Sequence, residues 1–218
     1  MPTRKFALQK GEEARLVISW RGIWKDIRVL LDGEELGTIG GSAEIKAGKE
    51  FTLPGRQGTL RVQLVQTFGS AELQVLRNGQ PLPGSGSDPE VQFKGAWGIL
   101  LFIAGLNLVI GLATVVFEVE ALARMGLGVG SLIVAVIYLG LALVVRTYRS
   151  AIALGVGIAL FAIDGLLTVA AGFEGTGTPP IGGVLMRVFL ILPMIKGFSA
   201  IRALKAGEKG EGAAARFE

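Results

Sequence analysis

Hydrophobic and polar residues are arranged differently in the two halves of this chain. Up to about residue 90, apolar residues alternate with polar ones in short stretches, whereas from Trp97 onward they form long uninterrupted runs. Alternation with a period of two is typical of a β-strand with one buried face, and a run of about 20 apolar residues can span a bilayer as a helix. The pattern predicts an α+β membrane protein with an N-terminal β domain and a C-terminal helical domain.

The N-terminal half contains several alternating stretches separated by turn sequences. The apolar positions of four stretches are Leu16, Ile18 and Trp20; Ile27, Val29 and Leu31; Leu60, Val62 and Leu64; and Ala71, Leu73 and Val75. The dipeptides Asp32-Gly33 and Asn78-Gly79 tolerate the positive φ that two-residue hairpin turns require. We therefore expect an antiparallel β-sandwich or small barrel of about six to eight strands.

The C-terminal half contains four apolar runs, and the connections between them are short. The runs are Trp97 to Phe117, Gly126 to Val145, Ala151 to Phe173, and Ile181 to about Ala200. Each is close to the length of about 20 residues that a membrane-spanning helix needs. These runs predict a four-helix transmembrane bundle whose sequential helices are antiparallel neighbours.

The sequence GQPLPGSGSDPE at 79–90 is rich in Pro, Gly and Ser, which continue neither a strand nor a helix. It therefore indicates a domain boundary. The chain is predicted to comprise a cytoplasmic β domain at 1–88, a linker at 89–95, a four-helix transmembrane domain at 96–205 and a flexible tail at 206–218.

Basic residues gather on one side of the predicted spans, and Lys and Arg in short loops favour the cytoplasm. The side with the β domain, the second loop and the C-terminus has Lys94, Arg146, Arg149, Lys196, Arg202, Lys205, Lys209 and Arg216. The opposite side has Arg124 with Glu118, Glu120 and Glu174. No apolar run of the signal-peptide type lies near residue 1. We expect a multi-pass plasma membrane protein with both termini in the cytoplasm.

Composition narrows the classes of function. The 218 residues include no Cys and no His, so thiolate and imidazole ligands, cysteine nucleophiles and the usual general base near neutral pH are excluded. We therefore expect no enzyme activity, no metal site and no cofactor. The net charge of +4 is explained by cytoplasmic loops and anionic lipid heads, so we expect no nucleic-acid partner.

Two opposite charges interrupt the apolar runs: Asp164 in FAIDGLL and Arg187 in VLMRVFLI. At 1.5 Å per residue, both lie roughly 10 to 13 Å inside the outer boundary, so they can meet. They are either a structural ion pair that fixes helix register or the lining of a path or pocket for protons, ions or a lipid head group. Asn107 is the third member of this intramembrane polar cluster, and we expect it to hydrogen-bond across helices.

The sequence SWRGIWKD contains two candidates for a surface role. Trp20 continues the face of Leu16 and Ile18 and is predicted to be core. Trp24 either covers the loop, touches lipid heads or belongs to an interface, where aromatic residues are favoured. Trp24 is therefore a possible interface residue.

Two resemblances add to this interpretation. DGEE at 32–35, a Phe-led strand at 51–53, TLRVQLV and LQVLRNGQPL together resemble the β-sandwich of the Fas apoptotic inhibitory molecule family. This resemblance implies a fold and no residue role. LRNGQPLPGS, FIAGLN and MRVFLILPMI resemble uncharacterised bacterial four-helix integral membrane proteins with an N-terminal β domain. That resemblance implies a bacterial inner membrane location and no particular activity.

Two classes of function follow. The first is a membrane-anchored interaction or assembly module that uses its cytoplasmic β domain, with the lipid bilayer, a cytoplasmic protein and further copies of the chain as partners. The second is a small transporter or ion or proton pathway that uses Asp164 and Arg187. Transporters usually have several polar groups at the midplane, and few are found here, so the first class is favoured.

Overall fold

A computed structural model of the chain describes residues 1–67, 70–118, 128–176 and 181–214. The chain forms two compact units, Met1–Val91 and Gln92–Glu218. Each unit has its own cluster of buried hydrophobic residues. The first unit contains antiparallel sheets, and the second contains long apolar helices. The predicted α+β class is therefore confirmed.

The first unit contains two four-stranded antiparallel sheets. The first sheet has the order β1 (Thr3–Ala7), β2 (Ala14–Arg21), β3 (Lys25–Leu31) and β4 (Glu34–Ile39). The second has the order β5 (Lys49–Thr52), β6 (Thr59–Thr67), β7 (Ser70–Arg77) and β8 (Gln80–Pro81). A short helix that the sequence pattern does not predict, α1 (Ser42–Ala47), connects the sheets. In each sheet, strands that follow one another in sequence pair with each other.

The alternation along the strands explains why the two sheets pack together. Leu16 and Ile18 of β2 are opposite Leu31 and Val29 of β3, so all four side chains point to one face. The buried cluster draws on both sheets: Phe6, Leu16, Ile18, Ile27, Val29, Leu31 and Ile39 from the first, and Phe51, Leu60, Val62, Leu64, Leu73 and Val75 from the second. The unit is therefore a β-sandwich with a single apolar core. Ala71, which was predicted to point inward, is exposed.

The two predicted hairpin turns are confirmed by their backbone angles. Asp32 and Gly33 have φ values of 54° and 87°, and Asn78 and Gly79 have values of 50° and 81°. The Asp32 carboxylate also accepts a hydrogen bond from Arg15 Nε at 2.6 Å. That guanidinium lowers the pKa of Asp32 below its usual range. Asp32 therefore stabilises the turn through the neighbouring strand.

The second unit contains α2 (Pro89–Val116), α3 (Val129–Tyr148), α4 (Ala151–Thr176) and α5 (Ile181–Ala214). Among the described residues, these four helices are long and apolar enough to cross a membrane. The chain is thus compatible with a multi-pass integral membrane protein in contact with the lipid bilayer. Some residues of the predicted charge asymmetry lie outside what the structure describes: Glu120 and Arg124 of the predicted outer loop, the C-terminal Arg216, and the side chains of Glu174 and Lys209.

Two segments with other predicted roles are helical. Residues 89–95, predicted as a linker, form the first turns of α2, because the Asp88 side chain accepts a hydrogen bond from the Glu90 amide at 2.9 Å and Pro89 is tolerated at a first helical position. Residues 206–214 of the predicted tail continue α5. This stretch contains Ala, Glu and Lys, which are good helix formers.

Glycines allow the helices of the second unit to approach closely. A Cβ on Gly157 would lie 2.7 Å from Leu100 Cδ2, and one on Gly197 would lie 2.5 Å from Ala96 Cβ. Distances this short are not tolerated between carbon atoms. A side chain at Gly197 would therefore push α5 away from α2, and one at Gly157 would force the Leu100 side chain to shift.

We expect residues 1–88, expressed alone, to give a β-rich circular dichroism spectrum and to melt cooperatively, because the sandwich has its own core.

Two valines of β6 provide a matched test of this core. Val62→Ala should lower the free energy of unfolding by about 2 kcal/mol, since Val62 is fully buried. Val65→Ala, at a position 36% exposed, should change it by less than about 0.5 kcal/mol. Equal losses in chemical denaturation, or a disordered fragment, would contradict this core.

Candidate functional site

The two intramembrane charges meet in an ion pair between α4 and α5. Arg187 Nη2 lies 2.8 Å from Asp164 Oδ2. The two helices are connected by a short segment, so residues at similar distances from that segment lie side by side. A charged group inside a bilayer is expensive unless a partner of opposite sign is close. The pair supplies that partner for each charge.

Four residues of α4 form the surroundings of Arg187. Nη2 also donates to Thr168 Oγ1 at 2.9 Å, and the guanidinium carbon lies 5.9 Å from the centre of the Phe161 ring. Gly165 leaves room for the side chain, since a Cβ there would lie 2.7 Å from Arg187 Cδ. We call Phe161, Asp164, Gly165 and Thr168 the arginine cradle.

Sequence reasoning identified Asp164 and missed the other three members of the cradle. The signal was present, because positions 161, 164, 165 and 168 have the spacing i, i+3, i+4 and i+7 that aligns residues on one helix face. Phe161, Gly165 and Thr168 are common residue types in a membrane helix. This face can be identified as a site only once Arg187 of the neighbouring helix is seen to contact it.

The two members of the pair differ in their exposure. The Arg187 side chain is 20% exposed, and the Asp164 side chain is 65% exposed. Arg187 Nε is buried and has no hydrogen-bond partner within the described part of the chain. The guanidinium therefore lies between the helices, and the carboxylate faces outward from them.

The carboxylate lines a cavity of about 430 Å³ formed by α2, α3 and α4. We call it the intramembrane cavity. Its polar lining comprises Asn107, Ser131, Tyr138 and Asp164. The rest is Gly130, the ring of Phe161 and six aliphatic residues, Ile103, Val134, Ile137, Leu160, Ile163 and Leu167. Arg187 is not among the lining residues. The cavity thus contains one member of the ion pair and excludes the other.

Asn107 lies in the same cavity as Asp164, and its side chain donates a hydrogen bond within its own helix. The side-chain amide nitrogen donates to the carbonyl of Ile103, one turn back in α2, at 2.9 Å. One amide hydrogen is thus used within α2, and the expected hydrogen bond across helices stays a prediction for the rest of the amide. A short polar side chain can reach a carbonyl of its own helix, which competes with any partner on another helix.

The second candidate region is the turn between β2 and β3, residues 21–25, which we call the hairpin tip. Trp24 stacks on Trp20 with ring centres 4.6 Å apart, and both are partly buried against the sandwich core. Trp24 has a φ of 58°, which is unusual for a bulky residue. Between Gly22 and Trp24, Ile23 is 84% exposed. Sequence reasoning chose Trp24 and missed Ile23, which is the more exposed of the two.

Comparison with known proteins gives no relative from which a role can be transferred. No protein-family model matches the sequence, and no curated protein and no solved structure matches it significantly. The two resemblances described above therefore rest on their sequence motifs alone. Any functional argument has to start from the cavity and the hairpin tip themselves.

We expect Asp164→Asn to lower the stability of the helical domain, because Arg187 loses its counter-charge. The cost should be about 2.5 to 3.5 kcal/mol, the range for an unpaired charge near a helix centre. The charge swap Asp164→Arg with Arg187→Asp should recover part of it. Thermal unfolding in detergent measures both, and additive effects of the two single changes, without recovery in the swap, would contradict the pair.

Replacing both charges tests whether the pair has a purely structural role. Asp164→Leu with Arg187→Leu should be tolerated in that case, since apolar replacement of both partners is often neutral or stabilising. A double variant that folds and inserts but loses its effect in the cell would instead assign the pair a function.

Proposed function

We propose that this protein is a membrane-anchored interaction or assembly module whose cytoplasmic β domain binds a protein partner through the hairpin tip. The observation that carries the proposal is the side chain of Ile23, which is 84% exposed. An exposed aliphatic residue alone is ordinary. Here it stands beside a stacked Trp20 and Trp24 pair and between the exposed Arg21 and Lys25.

The hairpin tip has the composition of a binding surface. Aromatic and Arg side chains carry much of the energy at protein interfaces, and rigid anchors lose little entropy on binding. The stack holds Trp24 against the sandwich core, so Ile23 projects from a fixed base. The positive φ of Trp24 is a strained conformation of the kind that occurs at functional sites. The chemistry fits a partner with an apolar pocket and an acidic rim.

The apolar helices would confine the module to a bilayer, and their basic end would face the cytoplasm. Two arginines at that end lie over aromatic rings: Arg146 is 5.1 Å from the centre of Trp97, and Arg149 is 6.0 Å from the centre of Phe93. Aromatic and basic side chains are favoured at the membrane surface, with basic ones on the cytoplasmic side. These contacts support an orientation with both termini inside the cell, and the membrane we propose is the bacterial inner membrane.

A second candidate function is an ion or proton pathway through Asp164 and Arg187. The observation in its favour is that Asp164 and Asn107 line the same cavity. Against it, most of the lining is aliphatic, whereas transport sites at the midplane usually combine several polar groups with broken helices. We therefore keep the interaction module as the first proposal.

Topology can be tested with single cysteines, because the chain has none of its own. Phe117→Cys and Tyr148→Cys replace well-exposed aromatic residues near opposite ends of the helical domain. In intact cells, a membrane-impermeant maleimide should label position 117 and leave position 148 unlabelled until the cells are permeabilised. The reverse labelling pattern would place the basic end outside the cell and would contradict the proposed orientation.

The partner surface can be tested with a photoreactive amino acid introduced at single positions in cells. A probe at Ile23 should give a discrete cross-linked product, while a probe at the exposed Glu34, the first residue of β4 in the same sheet, should not. Arg21→Glu with Lys25→Glu should reduce the yield at position 23, since the proposed rim is acidic. Equal products at both positions, or no effect of the charge reversal, would rule out the hairpin tip.

A further inference from the structure

We propose that the intramembrane cavity binds a lipophilic ammonium compound, with the charged nitrogen at Asp164 and the apolar part along the aliphatic wall. This inference goes beyond the interaction role of the β domain and is independent of it. It also requires no passage across the membrane, only binding from the bilayer side. The reasons are the hydrogen-bonding inventory of the cavity wall, the sign of its charge, and its size.

Two polar groups of the wall donate hydrogen bonds to backbone carbonyls. The Asn107 amide nitrogen donates to the Ile103 carbonyl at 2.9 Å, and the Tyr138 hydroxyl donates to the Gly157 carbonyl at 3.4 Å. Each group still has an acceptor, the amide oxygen of Asn107 and the lone pairs of the Tyr138 oxygen, and Asn107 also keeps its second amide hydrogen. The wall therefore offers acceptors to a ligand that brings donors.

The charge within the cavity is negative, although the ion pair as a whole is neutral. Asp164 lines the cavity, and one of its oxygens, Oδ2, accepts from Arg187. Arg187 does not line the cavity: its guanidinium contacts Thr168 and the ring of Phe161, and Phe161 stands between it and the cavity as a lining residue. A ligand in the cavity therefore meets the carboxylate before the guanidinium. The second carboxylate oxygen can accept from a cationic donor.

The size and lining of the cavity favour an organic cation over a bare ion. About 430 Å³ falls within the range of small-molecule sites, and a water molecule occupies only about 30 Å³. An inorganic ion would leave the aliphatic part of the wall without contacts. An anion would be repelled by Asp164, and a neutral hydrocarbon would leave the acceptors without donors, which is costly in an apolar medium. An ammonium compound with an alkyl or aryl part contacts the aliphatic wall, carries the charge opposite to that of Asp164, and brings donors for the acceptors.

The proposal can be tested with three probes of one chain length: octylammonium, octanol and octanoate. Their binding to the full-length protein in a non-ionic detergent is followed by equilibrium dialysis and by the shift in unfolding temperature. Octylammonium should bind saturably and raise the unfolding temperature. Octanol and octanoate should not. An equal response to octanol would overturn the proposal, because it would indicate partitioning into apolar surface only.

Variants locate the site without relying on the ion pair. Asn107→Leu and Tyr138→Phe each remove one acceptor, so each should weaken octylammonium binding about two- to tenfold. Asp164→Asn should abolish the preference for octylammonium over octanol. Thr168→Val is the matched control, because Thr168 contacts Arg187 but does not line the cavity, and binding should be unchanged. Wild-type affinity in both Asn107→Leu and Tyr138→Phe would overturn the proposal, as would an equal loss in Thr168→Val.

Discussion

The helical domain depends on keeping one guanidinium out of contact with hydrocarbon. A charged group in hydrocarbon needs partners, and α4 brings a carboxylate, a hydroxyl and an aromatic face to Arg187. Those groups come from one face of α4, and Gly165 within that face allows the two helices to approach around the side chain. The register of α4 against α5 is therefore fixed by chemistry as well as by shape. Sliding either helix by one residue would separate the charges.

This register also explains why the cavity is where it is. The buried core of the helical domain is drawn mainly from the end where α2 and α4 begin, with Leu100, Val145 and Leu154 fully buried. There, Gly157 lets α4 pack directly on Leu100. Beyond that contact the wall continues with Ile103 and Leu160, and Asp164 follows one turn later. The close packing at Leu100 and Gly157 thus ends before Asp164, and the cavity lies at the depth of the ion pair.

Sequence patterns predicted the parts of the structure that follow from periodicity. Strand faces such as Leu16 and Ile18 follow from alternation, and the membrane-spanning helices follow from the length of the apolar runs. The similar depth of Asp164 and Arg187 in the bilayer also follows, because helical rise and a short connection fix how far each lies from the end of its helix. In each case one repeating geometry determines the outcome.

The remaining features depend on choices between partners that periodicity does not encode. Asn107 can bond across helices or to its own helix, and both fit the same sequence. Periodicity assigns no face to residues of a turn, so it could not indicate that Trp24 folds back onto Trp20 while Ile23 projects. The sandwich core alone does not require that arrangement.

The ligands proposed for the hairpin tip and for the intramembrane cavity follow from the same principle with opposite signs. The tip joins an apolar side chain to Arg21 and Lys25, and the cavity joins an apolar wall to the carboxylate of Asp164. In the cavity the selection is sharper, because hydrocarbon offers no water to satisfy a mismatched polar group. A ligand that lacks donors there loses more than a contact. The wall itself is left unsatisfied, so charge sign and donor count decide what can bind.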